Sequence, residues 1–281
     1  ESFYVRRSAI QALAAIGAAS AAPSIEQRIT DADDTIRAAA CAALSVLLAP
    51  TSPVFIAPRL ADPVPEVRQA AEDALLKFPP GPAWRPVVEA SEHKDLRETR
   101  VRAWKLLGEY GHEETREHAF KHLSDKDAEI VGYAMRIMRK LRDERCKPHV
   151  LAVLTVKGLS TASEVDQQEC FEAAILFKLK QPIPQVMRLL RLAIKPPEDF
   201  SISELALASA IKYLAAMDHK EAAPLVEQLY TAQGWSMESA KTVTAALTAW
   251  TGKTYPLPVV AKAYGHYFID AYVSRDKPPT P

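Results

Sequence analysis

The 281-residue chain carries 35 basic and 35 acidic side chains, which excludes a global field that would draw it to nucleic acid or to an anionic membrane. Hydrophobic residues make up 48%, enough for an ordered core, yet no apolar run approaches the roughly 20 residues that span a bilayer. Nine glycines against 21 prolines suit helices ended by proline-containing turns rather than glycine-turned hairpins of strands. Cys41, Cys146 and Cys170 are odd in number and far apart, which argues against a disulfide framework or a zinc ribbon.

The first predicted element is a helix in "VRRSAIQALAAIG", where Val5, Ala9, Leu13 and Ile16 share one stripe through spacings of four, four and three. The same offsets return at Ile36, Ala40, Leu44 and Leu47, then at Val67, Ala71, Leu75 and Phe78. They recur at Thr99, Ala103, Leu107 and Tyr110, and again at Ile130, Ala134, Met138 and Leu141, with anchors 31 or 32 residues apart. A small residue inside each stripe lets the next helix approach closely. Between stripes lie shorter apolar segments, "APSIEQRI", "SPVFIAPRL", "AWRPVVEA" and "REHAFKH", which predict a second helix per repeat, often opened by proline. The turns "TDADDT", "LADPVPE" and "LSDKDAE" supply aspartates suited to cap a helix start.

Weaker stripes follow at Leu176/Leu179, Ala210/Leu214/Met217 and Val243/Leu247/Trp250, giving about eight repeats in all. The extra residues fall in two stretched turns, Gly158–Gln168 and Lys195–Ser203. Residues 258–272 predict a last helix, followed by a proline-rich tail. The domain expectation is therefore regular repeats over 1–157, divergent repeats over 158–252, and a C-terminal capping helix with a flexible tail over 253–281. The chain opens inside a helix with no cap and with Glu1 in place of Met, which predicts further repeats before it or a partner over that end.

The Asp-containing turn, the Val/Ile-Arg pair, the alanine and the closing Leu-x-x-Leu/Ile resemble the HEAT repeat family, in the short form seen in HEAT-like bilin lyases and many bacterial proteins. That resemblance is tight over residues 1–142 and looser afterwards. It implies an all-α, right-handed α-solenoid of about eight HEAT-like hairpins, armadillo-like in plan, with a concave face lined by the second helices. It also implies a ladder in which the arginine after each anchor (Arg6, Arg37, Arg68, Arg100) joins turn aspartates of neighbouring repeats, Arg37 and Arg68 with Asp33 and Asp62.

Most catalytic and metal motifs are incomplete in this sequence. "HEETR" places Arg116 where an HExxH zinc motif needs histidine, and its single His-Glu pair sits in a turn, unlike the helix-borne pairs of HEAT-like iron hydroxylases. "GWSME" lacks the last glycine of a nucleophile elbow, and no phosphate-cradling glycine loop occurs. One spacing survives: Glu114, His118 and His122 fall at i, i+4 and i+8 on one face, a set able to hold a divalent metal, against the plainer reading of a solvated polar face. No cofactor and no catalytic residue is expected.

Arg28 and Arg59, 31 residues apart on successive second helices, and Lys121 near the equivalent place later, predict a basic stripe along the concave side that suits an acidic protein surface. Tyr264, Tyr267, Phe268 and Tyr272 gather on the last helix, either as a lid or as an aromatic partner site. The leading expectation is a non-enzymatic protein-interaction scaffold, part of a larger assembly and without membrane insertion. The alternatives are a HEAT-like bilin lyase or chaperone-type subunit acting on a chromophore protein, and a nucleic-acid-binding HEAT-like protein. Interleaved acids and the lack of stacking aromatics among the arginines weigh against nucleic acid. The compartment stays open between cytoplasm and envelope; "LTAWTGKTYPL" resembles the closing stretch of some exported bacterial HEAT-repeat proteins.

Overall fold

A computed structural model of the chain describes residues 2–93, 96–198, 200–232 and 234–257. Among the described residues there are sixteen α-helices and no strand. None of those helices is long and apolar enough to cross a membrane. Tyr264, Tyr267, Phe268 and Tyr272 lie outside the described residues, as does most of the capping segment expected over 253–281. The chain divides into two compact units, Glu1–Cys146 and Lys147–Pro281.

In the first unit, the first helices of successive hairpins are α1 (Phe3–Ala15), α3 (Asp34–Leu47), α5 (Pro65–Leu75), α7 (Arg97–Tyr110) and α9 (Ala128–Lys140). The second helices are α2 (Ala22–Glu26), α4 (Ser52–Ile56), α6 (Pro80–Ser91) and α8 (Arg116–His122). The repeated stripes are the core: Ile36, Ala40 and Leu44, Val67, Ala71 and Leu75, and Ile130, Ala134 and Met138 are all buried. In α1 the stripe is not buried. Val5 and Ile16 face solvent, and α1 sets Ile10 and Ala14 into the core instead, because an apolar stripe is covered only where a neighbouring helix meets it.

The turns explain why the hairpins stack in register. Asp31, Asp62 and Asp125 each accept the backbone N–H two residues on, which folds the turn, and each also takes an arginine from the preceding first helix. Arg37 binds Asp62 with two parallel bonds of 2.9 Å, while its Nη1 donates to the carbonyls of Asp31 and Ala32 in the previous turn. Arg6 reaches Asp31 at 3.2 Å and Arg100 reaches Asp125 at 3.1 Å. The expected ladder therefore exists with a different acid in its first turn. Asp31 is the rung, whereas Asp33 caps α3 by accepting from the backbone of Thr35 and Ile36.

One rung differs. Arg68 makes the same carbonyl bonds, to Asp62 and Pro63, but His93 stands at the position of the next ladder aspartate, and Arg68 turns to Glu98 at 3.5 Å. At that same junction α5 and α7 touch only lightly, α7 packing mainly on α6. Buried Glu72 bridges the two first helices by accepting from Arg102 at 2.7 Å and from Lys105.

In the second unit, α12 (Glu164–Leu176), α14 (Glu204–Ala216) and α16 (Met237–Thr251) are the first helices, each capped by a serine: Ser163, Ser203 and Ser236. The second helices are α10 (Lys147–Val153), α13 (Ile183–Ile194) and α15 (Ala223–Ala232). Gly158–Gln168 is no stretched turn. It holds a further short helix, α11 (Val156–Thr161), capped by Thr155 and packed on α10 and α13, and then the first residues of α12. Glycine is required at 158, since a Cβ there would press on the carbonyl oxygens of Ala152 and Val153.

The Arg37–Asp62 pair is buried, so removing one partner strands a charge in the core. Asp62→Ala is expected to cost about 3–5 kcal/mol in chemical denaturation, and Arg37→Met with Asp62→Leu should recover only part of that loss, because the Val64 N–H and the Asp31 and Ala32 carbonyls still lose their partners. Burial opposes ionisation of Asp62, but its bonds from Arg37 and the Val64 N–H win and hold its pKa below the usual value. Arg145 and Arg116 likewise hold Asp143 far below it. A depressed carboxyl stabilises the fold fully above its unfolded pKa of about 3.9 and loses that contribution as pH falls through the folded value. Acid titration should therefore show a flat denaturation midpoint above about pH 5 and a decline below about pH 4, shallower in the double variant. All three cysteines are buried, and burial pushes the Cys41 thiol up to about 12. Ellman's reagent should find none of them in the native chain and all of them after unfolding.

Candidate functional site

Helices α4 and α6 and the turn before α8 leave a groove of about 450 Å³ on the second-helix side of the first unit, bordered by Val54, Trp84, Arg85, Glu89 and Glu114. Val54 is 58% exposed and its neighbour Phe55 44%, an unusual cost for apolar side chains on a five-residue helix. Trp84 is half-buried in this surface, with His112 stacked on it at 5.4 Å and the Arg85 guanidinium 5.3 Å from its ring centre. Further along, Phe120 on α8 is 40% exposed beneath the guanidinium of Arg145 at 4.4 Å.

Beside this surface lies a histidine pair. The i, i+4 spacing on α8 brings His118 and His122 together, ring centroids 4.6 Å apart, and both lie over the fully buried Trp104 of α7 at 4.6 and 4.7 Å. The carboxylate beside them is not Glu114, which is exposed in the turn before α8, but Glu92 at the end of α6. Its Oε1 is 3.5 Å from His118 Nδ1 and 3.8 Å from His122 Nε2. Burial, with a smaller push from His122, lowers the His118 pKa to about 4, so its imidazole is neutral at physiological pH.

A second cluster occupies the core of the other unit. Asp166 of α12 takes the place that isoleucine, valine or threonine holds in earlier stripes, with Cys170 in the alanine position four residues on. His149 of α10 bonds both Asp166 oxygens through Nε2, at 2.9 and 3.1 Å, and the Cys170 thiol donates to Oδ1 at 3.4 Å. One acceptor thus satisfies two donors, which makes this a closed polar plug in an apolar stripe.

Of the expected basic stripe, Lys121 is exposed. Arg28, its side chain half exposed, lies 4.0 Å from Asp31, and Arg59 lies 3.3 Å from Asp62, so each has an acidic neighbour in the turn beneath it. Sequence reasoning missed Glu92, His149 and Asp166 as partners. The only signal for Asp166 was a carboxylate standing at an anchor offset.

Residues 1–76 match the family described as HEAT repeats. Among solved structures, an engineered protein from a structural genomics consortium is similar, with 18% sequence identity, a TM-score of 0.34, and coverage of 82% of this chain and 96% of that one. No curated protein matches in sequence. Residues 1–76 are therefore matched as HEAT repeats, and the same anchors and turns continue to α9.

Proposed function

We propose that the chain is a non-enzymatic interaction scaffold that docks a protein partner on the second-helix side of its first unit. HEAT repeats commonly serve this role. The observation that carries the reading is the groove between α4 and α6, with Val54 exposed on one wall and Trp84 presented on the other. A tryptophan held by a stacked histidine and a neighbouring guanidinium loses little freedom on binding, and exposed apolar neighbours supply area to bury, the usual make-up of an interface anchor. The mixed charge of the rim, Arg85 with Glu89 and Glu114, favours a partner segment that inserts an apolar side chain over one that is merely acidic.

The test begins with co-purification from the native source, identification of the partner, and a binding isotherm with purified components. Trp84→Ala and Val54→Asp should each weaken binding by about tenfold or more while the circular dichroism stays that of the parent chain. Undiminished affinity in both variants would move the partner off this face. Failure to co-purify any protein, together with turnover of a small molecule, would end the scaffold reading.

A further inference from the structure

We propose that Glu92, His118 and His122 form a binding site for one divalent ion of the zinc class. The inference stands on hydrogen bonding in the first unit and does not depend on the scaffold reading.

The argument starts from where each ring proton must be. Ser91 Oγ donates its one hydrogen to the Val88 carbonyl at 2.7 Å, so toward His118 Nε2, 3.0 Å away, it can only accept. His118 therefore carries its proton on Nε2, and its Nδ1 presents a bare lone pair. His122 Nδ1 lies 2.9 Å from the His118 carbonyl, an acceptor only, so the proton of His122 is on Nδ1 and the lone pair is on Nε2. Those two lone pairs are the atoms that face Glu92 Oε1, at 3.5 and 3.8 Å. Two imidazole lone pairs directed at a carboxylate repel one another unless a cation sits among them.

The geometry suits a metal better than a proton. All three donor atoms lie within 4.8 Å of one another. A tetrahedral zinc ion with bonds of about 2.0–2.1 Å sets its ligands about 3.3 Å apart, so small side-chain adjustments complete the set. Each imidazole already has the supporting partner expected around a metal, a serine oxygen for one and a backbone carbonyl for the other. Two nitrogens and one oxygen favour zinc, cobalt, nickel or copper over calcium or magnesium, which take oxygen shells. Trp104 closes the inner side, while Glu92 stands at the exposed rim, leaving an outward position for a water or a donor from a bound protein. The His149–Asp166–Cys170 cluster differs because His149 and Cys170 already direct bonds at Asp166.

Chelator-treated chain titrated with zinc chloride in a calorimeter should take up one ion at this site. Glu92→Gln and His122→Gln should each weaken that uptake by at least about 10-fold to 100-fold, and Ser91→Ala, which frees the His118 tautomer, by about tenfold. Glu92 is exposed, so its variant tests the site without risk to the fold. Cobalt chloride should give tetrahedral visible bands with no thiolate charge-transfer band, and its quenching of tryptophan fluorescence should shrink in Trp104→Phe. No saturable zinc uptake, equal uptake in Glu92→Gln and His122→Gln, or a thiolate band would each overturn the proposal.

Discussion

The first unit leans on one recurring contact, an arginine directly after the stripe's first residue that reaches into the next turn, made by Arg6, Arg37 and Arg100. An isolated helical hairpin cannot bury its stripe, so each must be fixed against its neighbour in both distance and register. Apolar contact sets the distance but slides easily. The Arg37 guanidinium removes that freedom, because its planar fork holds Asp62 by two bonds and the carbonyls of Asp31 and Ala32 by another face. The aspartate that receives it is simultaneously the residue that folds the turn. Stacking and turn formation are thereby one event rather than two.

How much of this could be read from the letters depended on whether a feature is local or made by stacking. The stripes at Ile36, Val67 and Ile130 were legible because helical period and burial coincide there. The stripe at Val5 read identically and is exposed, since no periodicity says whether a neighbour is present. Asp31 and Asp33 are the same residue type two positions apart, and only the bend of the chain assigns one to the ladder and the other to the cap. The segment after Gly158 looked like loop because of its glycine, serines and threonines; Thr155 capping and cover from α10 and α13 make it a helix.

The candidate sites divide along the same line. His118 and His122 were readable as a pair, being one helical turn apart, but their carboxylate comes from the preceding hairpin and was not. Arg28 and Arg59 were readable as a column, yet each has an acidic neighbour in the turn beneath it. The half-buried ring of Trp84 became visible as a groove wall only once α4 and the turn before α8 had framed it.

The substitution at His93 has a mechanical meaning. Where Asp31, Asp62 and Asp125 each receive an arginine, His93 receives none, and the third and fourth hairpins are joined instead by α6 packed on α7 and by Glu72 bonded to Arg102 and Lys105. Glu92 belongs to the hairpin on one side of that junction, and His118 and His122 to the hairpin on the other. A cation gripped by all three would add one more tie between hairpins that the arginine ladder skips.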